Sequence, residues 1–288
     1  MRLAVISFVR FVIGRIVSCL EFFALMKTTF SLRNVIALLA LTLLLSSLTL
    51  ALTFLRKSTH APETPKDSPQ LILWAWERPT DLRFIDPKKV AVAFLAKSIR
   101  LESGEVVVRP RLQSLQLPEG TEVIAVTRIE ADRENKPNLT ATQREATARA
   151  IAELASFSEV SAIQIDFDAT QSQRSFYRDL IVDVRHRLPP RVSLSITALA
   201  SWCMDDNWLS DLPIDEAVPM LFRMAGDGRQ ILSRLNAGDD FNAVPCRQSY
   251  GISLDEQRPQ MLPARRLFVF NPDAWTERSV RSISESIR

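Results

Sequence analysis

A chain of 288 residues has room for one large domain and a short accessory segment. Its formal net charge is only +3, set in part by basic residues near the N-terminus, and no concentrated basic tract or nucleic-acid motif follows them, so a nucleic-acid partner is excluded. Cys203, Cys246, His60 and His186 stand alone in sequence and match no zinc spacing, and no Gly-rich phosphate loop follows a strand, so neither a metal nor an organic cofactor is expected.

The first organised feature is the run from Val35 to Leu55, which carries no charge and is mostly Leu, Ala, Val and Ile. It reaches the roughly 20 residues that a helix needs to cross a bilayer. Arg2, Arg10, Arg15, Lys27 and Arg33 precede it against Glu21 alone, a bias that places the N-terminus in the cytoplasm. The expected layout is a cytoplasmic segment over 1–34, a transmembrane or signal helix over 35–55, an exposed Pro- and Ser-containing tether over 56–70, and a folded domain over 71–288. The inner membrane is then a partner through a single-pass helix, with the folded domain in the periplasm. Translation from Met26 gives instead a signal-peptide-like start and export after cleavage. In an oxidising compartment Cys203 and Cys246 are candidates for a disulfide.

From Gln70 the pattern alternates between strands and helices. Strands are predicted at Leu71 to Trp76, Lys89 to Phe94, Gly104 to Pro110 with Ile99 to Glu102 as its adjoining arm, Glu122 to Ile129, and Ser161 to Phe167. Helices are predicted from Thr140 to Ala155, capped by Thr140, and from Gln171 to Leu188, stopped by Pro189-Pro190. Further strands follow at Val192 to Ala198, Ala217 to Phe222, Tyr250 to Leu254 and Arg266 to Phe270. A short helix runs from Arg229 to Leu235 and a last one from about Thr276. About eight strands joined by crossovers in this order imply a compact, irregular (β/α)8 barrel, with an open doubly wound sheet as the alternative.

In a barrel the ligand-facing residues lie at the C-terminal strand ends. The segment around Ser161 to Ala169 is the most informative. Ile163, Ile165 and Phe167 point one way, and Gln164, Asp166 and Asp168 the other. Acids two positions apart on one face repel unless a proton, ligand or metal uses them. Asp168, furthest along the strand, is the candidate general acid. Asp166 is placed to raise its pKa, and Gln164 to orient Asp166. Tryptophans and acids recur at other strand ends. Trp74, Trp76, Trp202 and Trp275 are candidates for stacking on sugar rings. Glu77 and Glu130 are alternative acid or base candidates and, with Asp255, candidates for binding substrate, and Arg223 is a candidate for pairing with an acid. A buried polar layer salt-bridged to Arg128 or Arg223 is the competing structural account of the acids. A Mg²⁺ or Ca²⁺ site on Asp166, Asp168 and Glu130 is a further alternative.

The segment Ala162-Ile-Gln-Ile-Asp-Phe-Asp168 resembles the fourth-strand signature of chitinase-like barrel hydrolases, Gly-x-Asp-x-Asp-x-Glu. Gln164 falls on its first Asp, Asp166 on its second, and Asp168 on the catalytic Glu. Gln164-Ile-Asp-Phe-Asp-Ala-Thr170, Leu194 to Cys203, Leu212 to Met224 and Gly251 to Glu256 together resemble the bacterial family called domain of unknown function 3142, over about residues 70–275. That resemblance implies a glycoside-hydrolase-like barrel and no established activity. The expected function is hydrolysis of an envelope or extracellular glycan by carboxylate acid catalysis. The alternative is a non-catalytic carbohydrate-binding or envelope-assembly protein on the same barrel.

Overall fold

The computed structural model divides the chain into two compact units, Met1–Glu63 and Thr64–Arg288, and describes residues 69–286 together with Thr42. The second unit is built on a closed parallel barrel. Its eight strands are β1 (Leu71–Ala75), β3 (Val90–Glu102), β6 (Val123–Ala131), β7 (Val160–Asp166), β8 (Ser193–Leu199), β9 (Glu216–Met220), β10 (Ser249–Ser253) and β11 (Arg266–Phe270). They neighbour one another in chain order, and β1 pairs in parallel with both β3 and β11, which closes the ring.

The helices cover the outside. α1 (Ala141–Ala152) starts at Thr140, whose hydroxyl accepts the Gln143 backbone N–H at 3.2 Å. α2 (Arg174–Arg187) buries Phe176, Tyr177, Leu180, Ile181 and Val184 on one stripe, at the spacing that faces a helix to a sheet. It ends at Leu188, because Pro189 and Pro190 cannot continue it. α3 (Ala200–Met204) follows β8 without a break, α4 (Gly228–Asn236) follows β9, and α5 (Glu277–Ser286) closes the described chain.

The first two crossovers carry no helix. β2 (Thr80–Asp81) lies between β1 and β3, and β4 (Glu105–Pro110) and β5 (Leu115–Gln116) lie between β3 and β6. β4 folds back antiparallel on β3, and β2 pairs with β5 in a small separate sheet. The expected strand Lys89 to Phe94 and the expected arm Ile99 to Glu102 are one continuous strand, β3. A register irregularity between Leu95 and Lys97 interrupts its apolar alternation. Pairing with β6 on one side and β4 on the other carries the strand through that interruption, which a reading of local pattern splits in two.

Alternation along the strands makes two apolar layers. Leu71, Leu73, Val90, Val92, Ile163, Ile165, Leu194 and Ile196 point outward into a layer shared with the helices. Ile72, Trp74, Ala91, Ala93, Ile124, Val126, Ala162, Val218 and Phe268 fill the barrel interior. Small residues on β3 and β7 make room for Trp74 and Phe268, whose ring centroids are 5.4 Å apart. Gly251 matters here, because a Cβ at that position would stand 3.0 Å from the Trp74 ring and from the Pro219 carbonyl oxygen. The N-terminal end of the barrel is shut by Arg266, which reaches the buried Glu216 at 3.1 Å and Glu122 at 3.9 Å. Burial raises the Glu216 pKa against the opposing pull of Arg266.

One expectation is corrected. The Val35 to Leu55 pattern predicts a membrane-crossing helix, and from it an inner-membrane partner and a single-pass topology with the barrel in the periplasm. Among the described residues no helix is long and apolar enough to cross a membrane. The longest, α2, has 14 residues and spans about 21 Å, against roughly 30 Å of hydrocarbon. Its other faces carry arginines that a bilayer core would not accept. The fold of the described chain is the barrel and its flanking helices, without an anchoring helix. The segments assigned to 1–34 and 35–55, and the tether assigned to 56–70 as far as residue 68, lie outside the described residues apart from Thr42.

Cys203 on α3 and Cys246, just before β10, form a disulfide across a sequence separation of 43. The backbone N–H groups of Asn242 and Ala243 donate to the Cys203 carbonyl, so the bond clips the β9–β10 connection onto α3. Its reduction is expected to lower unfolding stability by about 2–4 kcal/mol, chiefly by freeing the unfolded chain. Urea unfolding with and without reductant, beside the Cys203→Ser/Cys246→Ser double variant, checks this. Coincident midpoints would show that the bond contributes nothing.

Candidate functional site

A cavity of about 490 Å³ opens at the C-terminal ends of the barrel strands. One wall is aromatic. Trp74 and Trp76 come from β1 and the residue after it, Phe222 from the loop after β9, and Phe270 from the end of β11. Phe222 and Phe270 stack with planes 3° apart and centroids 5.7 Å apart, and Trp76 meets Phe270 edge-on. The opposite side is polar, formed by Arg128, Asp166, Asp168 and Thr197.

Strand register sets the polar side. Arg128 of β6 is the register partner of Asp166 of β7, and its guanidinium lies 3.4 Å from one carboxylate oxygen. Gln164 pairs with Ser195 and Ile165 with Ile196, so the next step brings Asp166 beside Thr197. The Thr197 hydroxyl donates to the other carboxylate oxygen at 2.7 Å. Asp166 is buried, and desolvation raises its pKa, while Thr197 and Arg128 oppose the rise by stabilising the anion. Arg128 also bonds Glu130 at 2.8 Å and lies over the Trp76 ring at 5.9 Å. Burial disfavours its charge, but Asp166, Glu130 and Asp168 together outweigh that and raise its pKa.

Asp168 stands one turn of the alternation further out, past the end of β7, and is exposed to the cavity. No hydrogen bond or salt bridge holds its side chain among the described residues. The protein around it still removes enough water to raise its pKa, with Arg128 opposing. The two acids of one strand therefore differ. Asp166 is locked in place by two donors, and Asp168 is free to meet a ligand.

Gln164 has a different task from orienting Asp166. It is fully buried, accepts the Trp74 indole N–H at 2.9 Å and donates to Ser195 at 3.3 Å. It fixes the indole plane in the cavity wall. Trp275 lies outside the main cavity and donates its indole N–H to the Trp74 carbonyl at 3.0 Å. With Glu77, Trp74, Trp76 and Phe270 it lines a second cavity of about 500 Å³ on the far side of the aromatic wall. Trp202 reaches neither cavity. It is buried edge-on to Trp208 at 4.9 Å, and the Arg174 guanidinium lies over both rings. Arg223 lines the rim and is gripped by Asp255 at 3.0 Å and Glu256 at 2.8 Å, rather than by the β7 acids. Its φ of 52° is unusual for a side chain with a Cβ. Both Glu256 oxygens accept its backbone N–H at 3.1 Å, which holds that conformation in place. Asp255 is further held by the Ser253 hydroxyl, which with Arg223 keeps its pKa low.

Several residues of the site carry little local signal. Arg111, beyond β4, donates to the carbonyls of Ala75, Trp76 and Arg78, and so braces the loop that presents Trp76. Thr197 is visible in sequence only as a small polar residue on the inward face of β8. Asp227 lines the cavity from the loop after β9, and its only sequence mark is the Gly226-Asp-Gly228 turn. Among the described residues no three His, Cys, Asp or Glu side chains are grouped to hold a metal ion. Asp166 and Glu130 both turn to Arg128, which leaves the expected oxygen-ligand alternative without its ligand set.

Residues 119–222 match the family model described as Domain of unknown function (DUF3142). That is a narrower span than the 70–275 over which the sequence resembles the family. It covers β6 to β9, and so Arg128, Asp166, Asp168 and Thr197. No curated protein matches the chain. Among solved structures, the chitinase domain of the spore coat protein CotE from Clostridium difficile is similar at 13% identity and a TM-score of 0.37, over 71% of this chain and 65% of that one. The spore cortex-lytic enzyme SleL of Bacillus cereus is similar at 15% identity and a TM-score of 0.43, over 77% of this chain and 60% of that one. Both similarities are distant, and the chain spans less than two thirds of the length of each.

The buried bond between Trp74 and Gln164 gives a direct test of how the wall is held. Trp74→Phe keeps an aromatic ring but leaves the Gln164 carbonyl oxygen unpaired, at an expected cost of about 1–3 kcal/mol. Adding Gln164→Leu to that variant is expected to recover part of the loss. Chemical unfolding of the single and double variants measures it, and strict additivity would mean the two side chains are not coupled.

Proposed function

We propose that this chain is a glycoside hydrolase that cleaves an oligo- or polysaccharide by carboxylate acid catalysis, with Asp168 as the proton donor. The observation that carries the reading is the placement of Asp168. It is a carboxyl group with a raised pKa and, among the described residues, no hydrogen-bond or salt-bridge partner, facing an aromatic-walled cavity at the C-terminal end of the barrel. Aromatic faces suit the apolar faces of pyranose rings, and a partly desolvated carboxyl group holds a proton closer to neutral pH than a solvated one.

In this reading Asp168 gives its proton to the glycosidic oxygen as the bond to the anomeric carbon breaks. Asp166, held by Thr197 and Arg128, is the second carboxyl group of the cavity, placed to stabilise the developing positive charge on the sugar. Water, or a substituent of the substrate itself, completes the displacement. The second cavity, with Glu77 and Trp275, shares Trp74, Trp76 and Phe270 with the first and offers room for further sugar units. A non-catalytic carbohydrate-binding role has one observation in its favour: among the described residues no hydrogen bond fixes the Asp168 carboxyl in a single orientation.

Asp168→Asn is expected to lower kcat on a cleaved polysaccharide by about 10²–10⁴-fold while leaving binding largely intact. Product release from a panel of neutral, amino and uronate polysaccharides measures it, and equal turnover by variant and wild type would remove Asp168 from the mechanism. The pH profile gives a second reading. A general acid must be protonated, so kcat should fall as pH rises through the raised Asp168 pKa. Arg128→Gln removes the cation that opposes this rise, and is expected to move the alkaline limb to higher pH. An unmoved limb would assign it to another group.

A further inference from the structure

Charge in the main cavity is unevenly matched. Each of its two arginines already meets two carboxylates: Arg128 meets Asp166 and Glu130, and Arg223 meets Asp255 and Glu256. Asp168 and Asp227 line the same cavity, and among the described residues neither side chain has a hydrogen bond or salt bridge. Asp227 stands at the N-cap of α4 yet makes no side-chain bond to that helix, although Asp is a strong capping residue. Its neighbour Gly226 has open space where a Cβ would lie, so the turn leaves room beside the carboxylate.

Resting on the reading of this cavity as a glycan site, we propose that it selects a sugar unit with a free amino group, a 2-amino-2-deoxyhexose in its ammonium form, and that Asp227 is the carboxylate that receives the ammonium. An acid catalyst at Asp168 is neutral while it holds its proton, which leaves Asp227 as the carboxylate lining the cavity that, among the described residues, no cation meets. The same cavity offers that unit an aromatic wall that includes Trp76, Phe222 and Phe270. An N-acetylated unit carries no charge to pair with Asp227. A uronate unit brings a second anion to a cavity whose arginines are already matched, and like charges in a partly desolvated site repel strongly.

The test is binding of three probes to the full-length protein by titration calorimetry: a tetramer of glucosamine, its fully N-acetylated counterpart, and a tetramer of galacturonic acid. The glucosamine tetramer is expected to bind at least about tenfold more tightly than either of the others, a ratio worth about 1.4 kcal/mol. Raised salt should shrink that preference. Asp227→Asn, an exposed and unbonded position whose change should leave the melting temperature in place, is expected to abolish the preference, and Asp168→Asn to keep it. Equal or tighter binding of the acetylated or uronate tetramer, a preference that survives Asp227→Asn, or binding of none of the three overturns the proposal. Turnover separates it from the hydrolase reading. An amine preference without cleavage leaves the selectivity and removes the hydrolysis. Cleavage without an amine preference does the reverse.

Discussion

The pairing of β1 with both β3 and β11 is the contact on which the site depends. Closing a parallel sheet removes its edges and forces every strand to sort its side chains into an inner and an outer set. The outer set meets the helices and is mostly apolar, with Thr127 and Lys97 as buried exceptions. The inner set must fill a narrow column, and it changes character along the axis. At the N-terminal end it is the ion pair of Arg266 and Glu216, in the middle Ile72, Ala91, Ile124, Ala162 and Phe268, and at the C-terminal end the indole of Trp74 against Gln164. Only above that last layer does the column open into a cavity. A closed, packed floor keeps water from entering the barrel from below and confines the solvated chemistry to one mouth.

On that floor the two acids of β7 are separated by their environments rather than by their chemistry. Asp166 lies one layer lower, where desolvation raises its pKa and Thr197 and Arg128 oppose the rise. Asp168 lies at the mouth, where it keeps water access but loses enough solvation to raise its pKa. The step between them is two residues along one strand, yet one acid is a fixed part of the wall and the other is available to a ligand. The same division runs through the cations. Arg128 and Arg223 are each held by two acids, and their charges brace the rim rather than stand open to an anionic ligand.

The rim itself is assembled from parts that are distant in sequence. Arg111, from beyond the β3–β4 hairpin, holds the loop after β1 through its carbonyl groups. Glu256, after β10, holds the left-handed backbone of Arg223, after β9. The disulfide then ties the β9–β10 connection to α3. Of these bonds, only those of Arg111 lie in the first two crossovers, which carry no helix. Together the bonds explain how an irregular barrel presents Trp76 and Phe222 on one continuous wall.

Much of the architecture is determined by the sequence alone. The order of strands and helices, the inward face of Gln164, Asp166, Ser195 and Thr197, and the stop at Pro189-Pro190 follow from local alternation, capping and proline chemistry, which act over a few residues. The continuity of β3 does not follow, because its middle is carried by pairing with β4 and β6 rather than by its own pattern. The fate of each tryptophan and arginine is likewise tertiary. Trp74 and Trp76 reach the cavity, Trp275 braces its far side, and Trp202 is taken into the core by Trp208 and Arg174, though all four stand near strand ends in sequence. Arg223 finds Asp255 and Glu256 rather than the β7 acids, and the folded loop after β9 brings Asp227 to the cavity as a carboxylate that is unpaired among the described residues. Such pairings depend on closure and register between strands far apart in the chain, and the amino-acid pattern of any one strand does not contain them.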